Sequence, residues 1–389
     1  MLPLSYNWHS LFVRRQSALL TFVVVATLVF VLSVLLSFVT GLRKSVAASG
    51  SADNMVVLAP GATAESTSLI LPEQVARLTQ VDGIRRDESG SALISSETYV
   101  QTSLARMGSQ GALAHVGVRG VDDVAFLVHR SVRMVEGRKF EPGHREVIVG
   151  RAAQARYDGL QLGREISLGR LGNRMFTVVG AFEANGGALE NEIWAARTIL
   201  ADAYDRHLIS SVHLGVTPGK SAADLMAQIS GPSINLGART EADYYEELLV
   251  KTREVVSLAT FLAAVMSLGA IFAMANTMFA AVDGRRREVA MLRTLGFGRL
   301  SIALAFVMES FLLCTGAAVA GLLASIVTSG APRDFLSDAS WTAFAYERQV
   351  TPTIGALALG VSTLVGVLGA LVPAWRAARI QPATALRRI

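Results

Sequence analysis

The stretch that decides the reading runs from Arg285 to Ile302, RRREVAMLRTLGFGRLSI. Three arginines open it, a short half-apolar run follows, and Gly296-Phe297-Gly298 leads into Arg299. On both sides the chain is almost free of charge for more than twenty residues. Each flank is therefore long enough to cross a hydrocarbon core of about 30 Å, which takes about 20 apolar residues as helix. On a helix, Val289, Leu292 and Leu295/Gly296 share one face, while Arg286, Glu288 and Arg293 fall away from it. The segment is too short to cross a bilayer. It reads as a basic amphipathic stub lying along a membrane surface, its apolar side covered by lipid or by a partner protein.

The rest of the chain agrees with a membrane setting. Of 389 residues, 51% are hydrophobic and only 17% charged, against about 25% charged in a typical soluble domain; the mean hydropathy is +0.42. Spans are expected over 16–42, 254–282, 300–327 and 353–375. The uncharged runs of the first, second and fourth last roughly 27 residues, or roughly 40 Å of helix, so these helices tilt or project beyond the core. The first run is nearly twice the length of a signal-peptide h-region, and an uncleaved anchor is expected. Arginines cluster at Arg14 and Arg15, at Arg285, Arg286, Arg287, Arg293 and Arg299, and at Arg376, Arg379, Arg387 and Arg388. Between the third and fourth spans only Arg333 and Arg348 occur, opposed by Asp334, Asp338 and Glu347. The positive-inside rule then puts both termini and the 283–299 stub in the cytoplasm. Residues 43–253 and 328–352 then fall on the outer side of the membrane. The net charge of +5 is accounted for by topology, and no soluble basic face suggests nucleic acid as a partner.

Residues 1–15 mix Leu, Trp, Phe and Val with polar positions, as an amphipathic segment on the inner leaflet or a disordered tail would. The 43–253 region alternates short strand and helix signals. NMVVLAP, REVIVG and SSVHLGVTP read as strands, LPEQVARLTQV and SAADLMAQI as helices, and REISLG and RMFTVVGAFE as a hairpin around RLGN. INLG reads as one further strand. The region is thus an α+β extracytoplasmic domain, and the whole an α-helical membrane protein with four transmembrane helices. From Thr240, a Ser/Thr-x-x-acid cap with Asp243 introduces a stretch without Gly or Pro. One unbroken helix is expected from about Glu241 to Asp283, a stiff rod from the outer domain through the membrane. Trp341, Phe344 and Tyr346 read as aromatics at the outer membrane interface.

Sites of chemistry are few. GVTPGKS (Gly215–Ser221) lacks the spacing of a phosphate-binding loop. The six histidines show no helical metal-ligand spacing and read as surface or packing residues. The outer carboxylates look scattered, and the only cysteine, Cys314, lies inside the third span. No disulfide or Cys-based metal site can form within the chain, and no catalytic constellation appears. Glu309 is the one ionisable group inside a span; a charge there costs about 2.5–3.5 kcal/mol on insertion scales. It is expected to bond a neighbouring helix, through Asn276 or Thr277, or else to contact substrate or protons.

Read together, NTMFAAVDGRRREVAMLRTLGFGR and the C-terminal PAWRAARIQPATALR resemble the FtsX/MacB-type, or type VII, ABC transporter permeases. Val282, Arg285, Arg287, Glu288, Val289, Ala290, Leu292, Arg293, Leu295 and Gly296 fit the first motif. Pro373, Ala374, Arg376, Ala377, Ala378, Pro382, Ala385, Leu386 and Arg387 fit the second. MESFLL places Glu309 where such permeases often carry an acid. Asp283-Gly284 departs from the usual Thr-Glu. EGRKFEPGHREVIVG, LGREISLG and FTVVGAF resemble the outer domain more loosely.

The resemblance implies a MacB-like periplasmic core. Its porter part would occupy about 50–105 and 206–240, and a sabre-like insert about 106–205. It also implies a dimer with a second permease copy or a paralogue, seated on two ABC ATPase subunits. Residues 283–299 would be the coupling helix, with Arg285, Arg287, Glu288, Val289, Leu292, Arg293, Leu295 and Gly296 as its ATPase-coupling residues. ATP and Mg would be bound by the partner ATPase, a separate protein, so this chain would hold no cofactor and be no enzyme. A periplasmic adaptor and an outer-membrane channel are further partners of such systems. The expected function is extrusion of a hydrophobic or amphipathic substrate by mechanotransmission. Lipoprotein release of the Lol type is the alternative within the class. Regulation of a periplasmic cell-wall hydrolase, as by FtsX, is the alternative outside it.

Overall fold

The computed structural model describes residues 15–109, 111–248, 250–329, 332–336 and 343–380. Residues 1–14, Trp341, and Pro382, Ala385, Leu386 and Arg387 of the C-terminal motif lie outside the described residues, as do the side chains of Phe344 and Tyr346.

In chain order the elements are α1 (Arg15–Ser49), β1 (Asn54–Leu58), α2 (Pro72–Leu78), β2 (Ile94–Ala105), β3 (Leu113–Val121), α3 (Ala125–Val128), β4 (Arg133–Gly137) and β5 (Glu146–Gly150). They continue with α4 (Arg151–Gln154), β6 (Glu165–Leu168), β7 (Arg174–Glu183), a 3₁₀ turn (Ala188–Asn191), β8 (Ile193–Ala196), α5 (Arg197–Tyr204) and β9 (Ser211–Gly215). After α6 (Ala222–Ser230) and β10 (Gly237–Thr240) come α7 (Glu241–Glu247), α8 (Val250–Gly284), α9 (Arg286–Thr294) and α10 (Arg299–Val327). The chain closes with β11 (Pro332–Leu336), β12 (Ala343–Glu347) and α11 (Pro352–Ala378).

The chain divides into two compact units. The first comprises 1–41, 253–331 and 347–389, and the second 42–252 with 332–346. In the first, α1, α8, α10 and α11 are each long and apolar enough to cross a membrane. All four contribute to one core that includes Val25, Leu28, Met274, Met278, Leu313, Cys314 and Val365. Lipid offers no hydrophobic gain for helix association, so close approach and hydrogen bonds must hold the bundle. α10 and α11 supply both. Gly366 leaves room for Cys314, whose Sγ would lie 3.0 Å from an added Cβ. Ser310 Oγ donates to the Gly366 carbonyl at 2.6 Å and Ser362 Oγ to the Cys314 carbonyl at 2.8 Å. Thr21 and Thr277 join α1 to α8 by their hydroxyls.

The second unit is built on a ten-stranded mixed sheet, in order β10-β1-β9-β2-β3-β8-β5-β7-β4, with β6 beside β7. β3–β8 and β5–β7 run parallel and the other pairs antiparallel. The twelve-residue β2 joins two halves. Its Ile94–Glu97 portion pairs with β9, and its Thr98–Ala105 portion pairs with β3. One half has a core of Met55, Val57, Leu78, Val212, Leu214, Leu225 and Leu236. The other is filled by Val118, Val147, Tyr157, Phe176 and Leu200, with a cluster around Trp194 and Phe182 on its far face.

Most strand and helix readings of the sequence stand, including Pro72 at the start of α2 and the β6–β7 hairpin. Two differ. INLG is not a strand, because Asn235 takes a left-handed φ of 54° and β10 starts only at Gly237. The expected single helix from Glu241 is two helices. Thr240 caps α7 as expected, accepting from the Asp243 N–H at 3.1 Å. α7 then ends with Leu248 as its C-cap, where Tyr244, Tyr245 and Leu248 are all buried in the outer domain. Tertiary burial of that face overrides an otherwise unbroken helical propensity. By contrast α1 is one uninterrupted helix, and its residues 42–49 belong to the outer unit. There the Ala188 N–H donates to Ser49 Oγ at 2.6 Å.

Candidate functional site

The basic stub is α9, and its geometry follows from its ends. Arg285 stands at the N-cap position. At the other end Gly296 adopts φ 92°, its N–H bonds the Arg293 carbonyl, and the Phe297 N–H bonds the Leu292 carbonyl. This is the paired closure of a Schellman motif, which needs a left-handed residue and so favours glycine. Val289 and Ala290 are buried. Val289 packs with Ala281, Val282, Ile302, Phe306, Ala374 and Ala377, so the stub is stapled to the ends of α8, α10 and α11.

The stripe expected over Val289, Leu292 and Leu295 is therefore divided. Val289 points inward, Leu292 is half-buried, and Leu295 is 72% exposed. Met291 joins it outside at 57%. Arg286, Arg287 and Glu288 are exposed and Arg293 is half-buried. The outward surface of α9 is thus two apolar side chains flanked by charge.

Arg285 is not on that surface. Its guanidinium donates to both oxygens of Glu309, at 2.9 and 3.3 Å, and stacks over Phe306. Both partners are largely buried. The partner of Glu309 is therefore Arg285 rather than Asn276 or Thr277. Asn276 lies on the exposed side of α8, and Thr277 bonds Thr21. A two-bond carboxylate–guanidinium pair satisfies a charge that would be costly alone.

A second constellation, not anticipated from the sequence, lies where β2 joins the two halves of the outer domain. Strand parity places Ser95, Glu97 and Tyr99 on one face of β2. The register sets Glu97 opposite Ser211, Ser95 opposite His213, and Tyr99 opposite Arg119. The same face thus gathers Glu97, Arg119 and His213. It is closed by Glu65 from the β1–α2 connection, His129 after α3, Glu192 before β8 and Glu241 at the start of α7. All seven side chains are buried.

Arg119 holds three of the carboxylates. It reaches Glu65 at 2.6 and 2.9 Å, Glu97 at 2.7 Å and Glu192 at 2.7 and 2.8 Å. His129 Nε2 lies 2.8 Å from Glu97. His213 lies 3.0 Å from Glu65 through Nε2 and 3.1 Å from Glu241 through Nδ1. Ser95, Ser211 and the Trp194 indole N–H donate to Glu97, Glu65 and Glu192. Burial pushes the Glu65 carboxyl up, but Arg119 and His213 beside it more than offset this and hold it well below the usual range. Glu97 is held down in the same way by His213, His129 and Arg119 against the pull of burial. Burial pulls His213 down, yet Glu97, Glu241 and Glu65 raise it to about 10.

These features define a multi-span membrane protein with one mixed α/β domain inserted between its first and second spans. The chain belongs to the family of FtsX-like permeases with a MacB-like periplasmic core. The profile described as "MacB-like periplasmic core domain" matches residues 18–231, and that described as "FtsX-like permease C-terminal" matches residues 260–382. The four membrane-length apolar helices and the MacB-like periplasmic core make it an inner-membrane protein with a periplasmic domain. The macrolide export ATP-binding/permease protein MacB of Chromobacterium violaceum is 27% identical over 335 residues, 79% of this chain and 50% of that protein. MacB 1 of Aeromonas hydrophila is 27% identical over 304 residues, 73% of this chain and 45% of the relative. The chain spans about half the length of these curated relatives. The lipoprotein-releasing system transmembrane protein LolC of Xylella fastidiosa is 26% identical over 185 residues, 43% of this chain and 42% of its own. Among solved structures, the periplasmic region of MacB from Actinobacillus actinomycetemcomitans covers 54% of this chain and 98% of its own, at 12% identity and TM-score 0.37.

Proposed function

We propose that this chain is the permease of an ATP-driven exporter, with α9 as the element on which a separate ATPase acts. The observation that carries the reading is the outward face of α9, with Met291 and Leu295 exposed among Arg286, Arg287 and Glu288. Apolar groups flanked by charge suit a protein partner better than open water. A force on α9 reaches α10 through the Arg285–Glu309 pair and through Val289, Ile302 and Phe306. It reaches the outer domain along the chain, through α8 behind α9 and through the uninterrupted α1. Both termini and α9 face the cytoplasm, by the arginine distribution. Two permeases would close and open together on two ATPase subunits, and the cargo would be a hydrophobic or amphipathic molecule, as the names of the MacB relatives suggest. A periplasmic adaptor and an outer-membrane channel would complete the path.

The LolC likeness favours a second reading, release of lipoproteins. The same reconstituted system decides between them. Copurification with the candidate ATPase, with ATP turnover measured, should show stimulation that Glu288→Lys and Arg293→Glu abolish while the permease remains folded. Unchanged association and unchanged stimulation in both variants would refute the assignment of α9. Stimulation by a lipid-modified protein and not by a macrolide would select the second reading.

A further inference from the structure

The geometry points to a structural transition-metal site in the outer domain, formed by Glu97, His129 and His213 and suited to Zn²⁺. One ligand atom from each of these residues lies within 4.8 Å of the others, and all three residues are buried. His129 Nε2 is 2.8 Å from the nearer Glu97 oxygen, and His213 Nε2 is 3.6 Å from the other. A metal about 2.0–2.2 Å from each donor needs ligand atoms about 3.3 Å apart, which falls inside the 4.8 Å limit that one atom from each residue satisfies. Two imidazoles and a carboxylate are a donor set for Zn²⁺ and its neighbours rather than for Ca²⁺ or Mg²⁺.

The surroundings have the form of an outer shell. Ligating histidines ordinarily present their second nitrogen to a carboxylate, which fixes the ring. Here Glu241 Oε1 lies 3.1 Å from His213 Nδ1 and 3.7 Å from His129 Nδ1. It is itself held by the Ser51 N–H and the Asn54 amide. Ser95 and Arg119 fix the Glu97 carboxylate.

Charge argues in the same direction. Glu65, Glu97, Glu192 and Glu241 bring four negative charges, and Arg119 returns one positive. A divalent metal held by the two imidazoles and Glu97 would offset two of those charges. It would also tie β2, β9 and the turn after α3 together, in a chain whose described residues include one cysteine and no disulfide. The inference does not depend on what the permease exports.

The test uses the full chain, purified in detergent without a histidine tag. The expected result is about one zinc per chain by elemental analysis, as a site coupled to folding requires. Its X-ray absorption spectrum should contain imidazole scattering. After chelation, Co²⁺ alone should restore the site with the visible bands of a low-coordinate ion. Glu97→Gln and His129→Gln should each lower occupancy at least tenfold, while His207→Gln, at an exposed outer-domain histidine, leaves it unchanged. If the two ligand variants do not fold, the wild-type absorption and Co²⁺ spectra decide alone. Folded, chelated wild-type chain that takes up neither Zn²⁺ nor Co²⁺ would overturn the assignment, as would bound zinc without imidazole scattering. Uptake unchanged in folded Glu97→Gln and His129→Gln protein would overturn it too.

Discussion

Replacing Arg119 with Met should be among the most damaging single changes to the outer domain. The guanidinium makes five short contacts to Glu65, Glu97 and Glu192, and its side chain is 1% exposed. Met matches the length of the stem, so little packing volume is lost. What remains is three buried carboxylates without their shared cation. Removing one member of a buried ion pair costs about 3–5 kcal/mol, against a total stability of about 5–15 kcal/mol. For a domain of 150–250 residues, 1 kcal/mol moves the melting temperature by about 2–4 °C, so the expected loss is roughly 6–20 °C. Thermal unfolding of the full chain in detergent, followed by near-UV circular dichroism, reads this directly. Adding Glu192→Gln to Arg119→Met should recover part of the loss, because it removes one unpaired charge. A melting temperature within about 2 °C of wild type for Arg119→Met would refute the reasoning, since the carboxylates would then be balanced by something other than Arg119.

Three further outcomes are expected. Arg285→Met and Glu309→Leu should be non-additive, the double variant being more stable than the summed singles by about 1–3 kcal/mol in a double-mutant cycle; strict additivity would mean that the pair does not couple α9 to α10. Gly296→Ala, forced to φ 92°, should lose about 1 kcal/mol, with Gly296→Asn milder because Asn tolerates the left-handed region; equal stability of all three proteins would show that the cap is dispensable. Cys314, fully buried between α10 and α11, should resist maleimide in folded protein and react only after denaturation, and rapid labelling of folded protein would show a looser bundle.

The sequence spoke most clearly where one periodicity dominated. Four long apolar runs became α1, α8, α10 and α11, and Thr240 with Asp243 became a helix cap. The buried polar site was hidden by the same rule that found its strands. In SSVHLGVTP, Ser211 and His213 alternate with Val212 and Leu214, which reads as a half-solvated strand. The polar face is instead covered by Glu65, His129 and Glu241, which arrive from separate connections that no local pattern relates. Glu65 follows β1, His129 follows α3 and Glu241 opens α7, so only the folded register brings them to one face. Glu309 was legible as a buried acid, but its partner was not: Arg285 reads as one of three surface arginines until the turn between α8 and α9 swings it inward. The break after α7 carries no Gly or Pro and is set by the burial of Tyr244, Tyr245 and Leu248.

The central claim is that α9 stands in the cytoplasm, where an ATPase can reach it. The most direct measurement labels a single cysteine, Leu295→Cys in a Cys314→Ser background, with a membrane-impermeant maleimide on spheroplasts. Leu171→Cys, at an outer-domain position that is 82% exposed, reports labelling from the periplasmic side in the same background. The account predicts that position 171 reacts in intact spheroplasts and that position 295 reacts only once the inner membrane is opened. Reaction of position 295 in intact spheroplasts would contradict it.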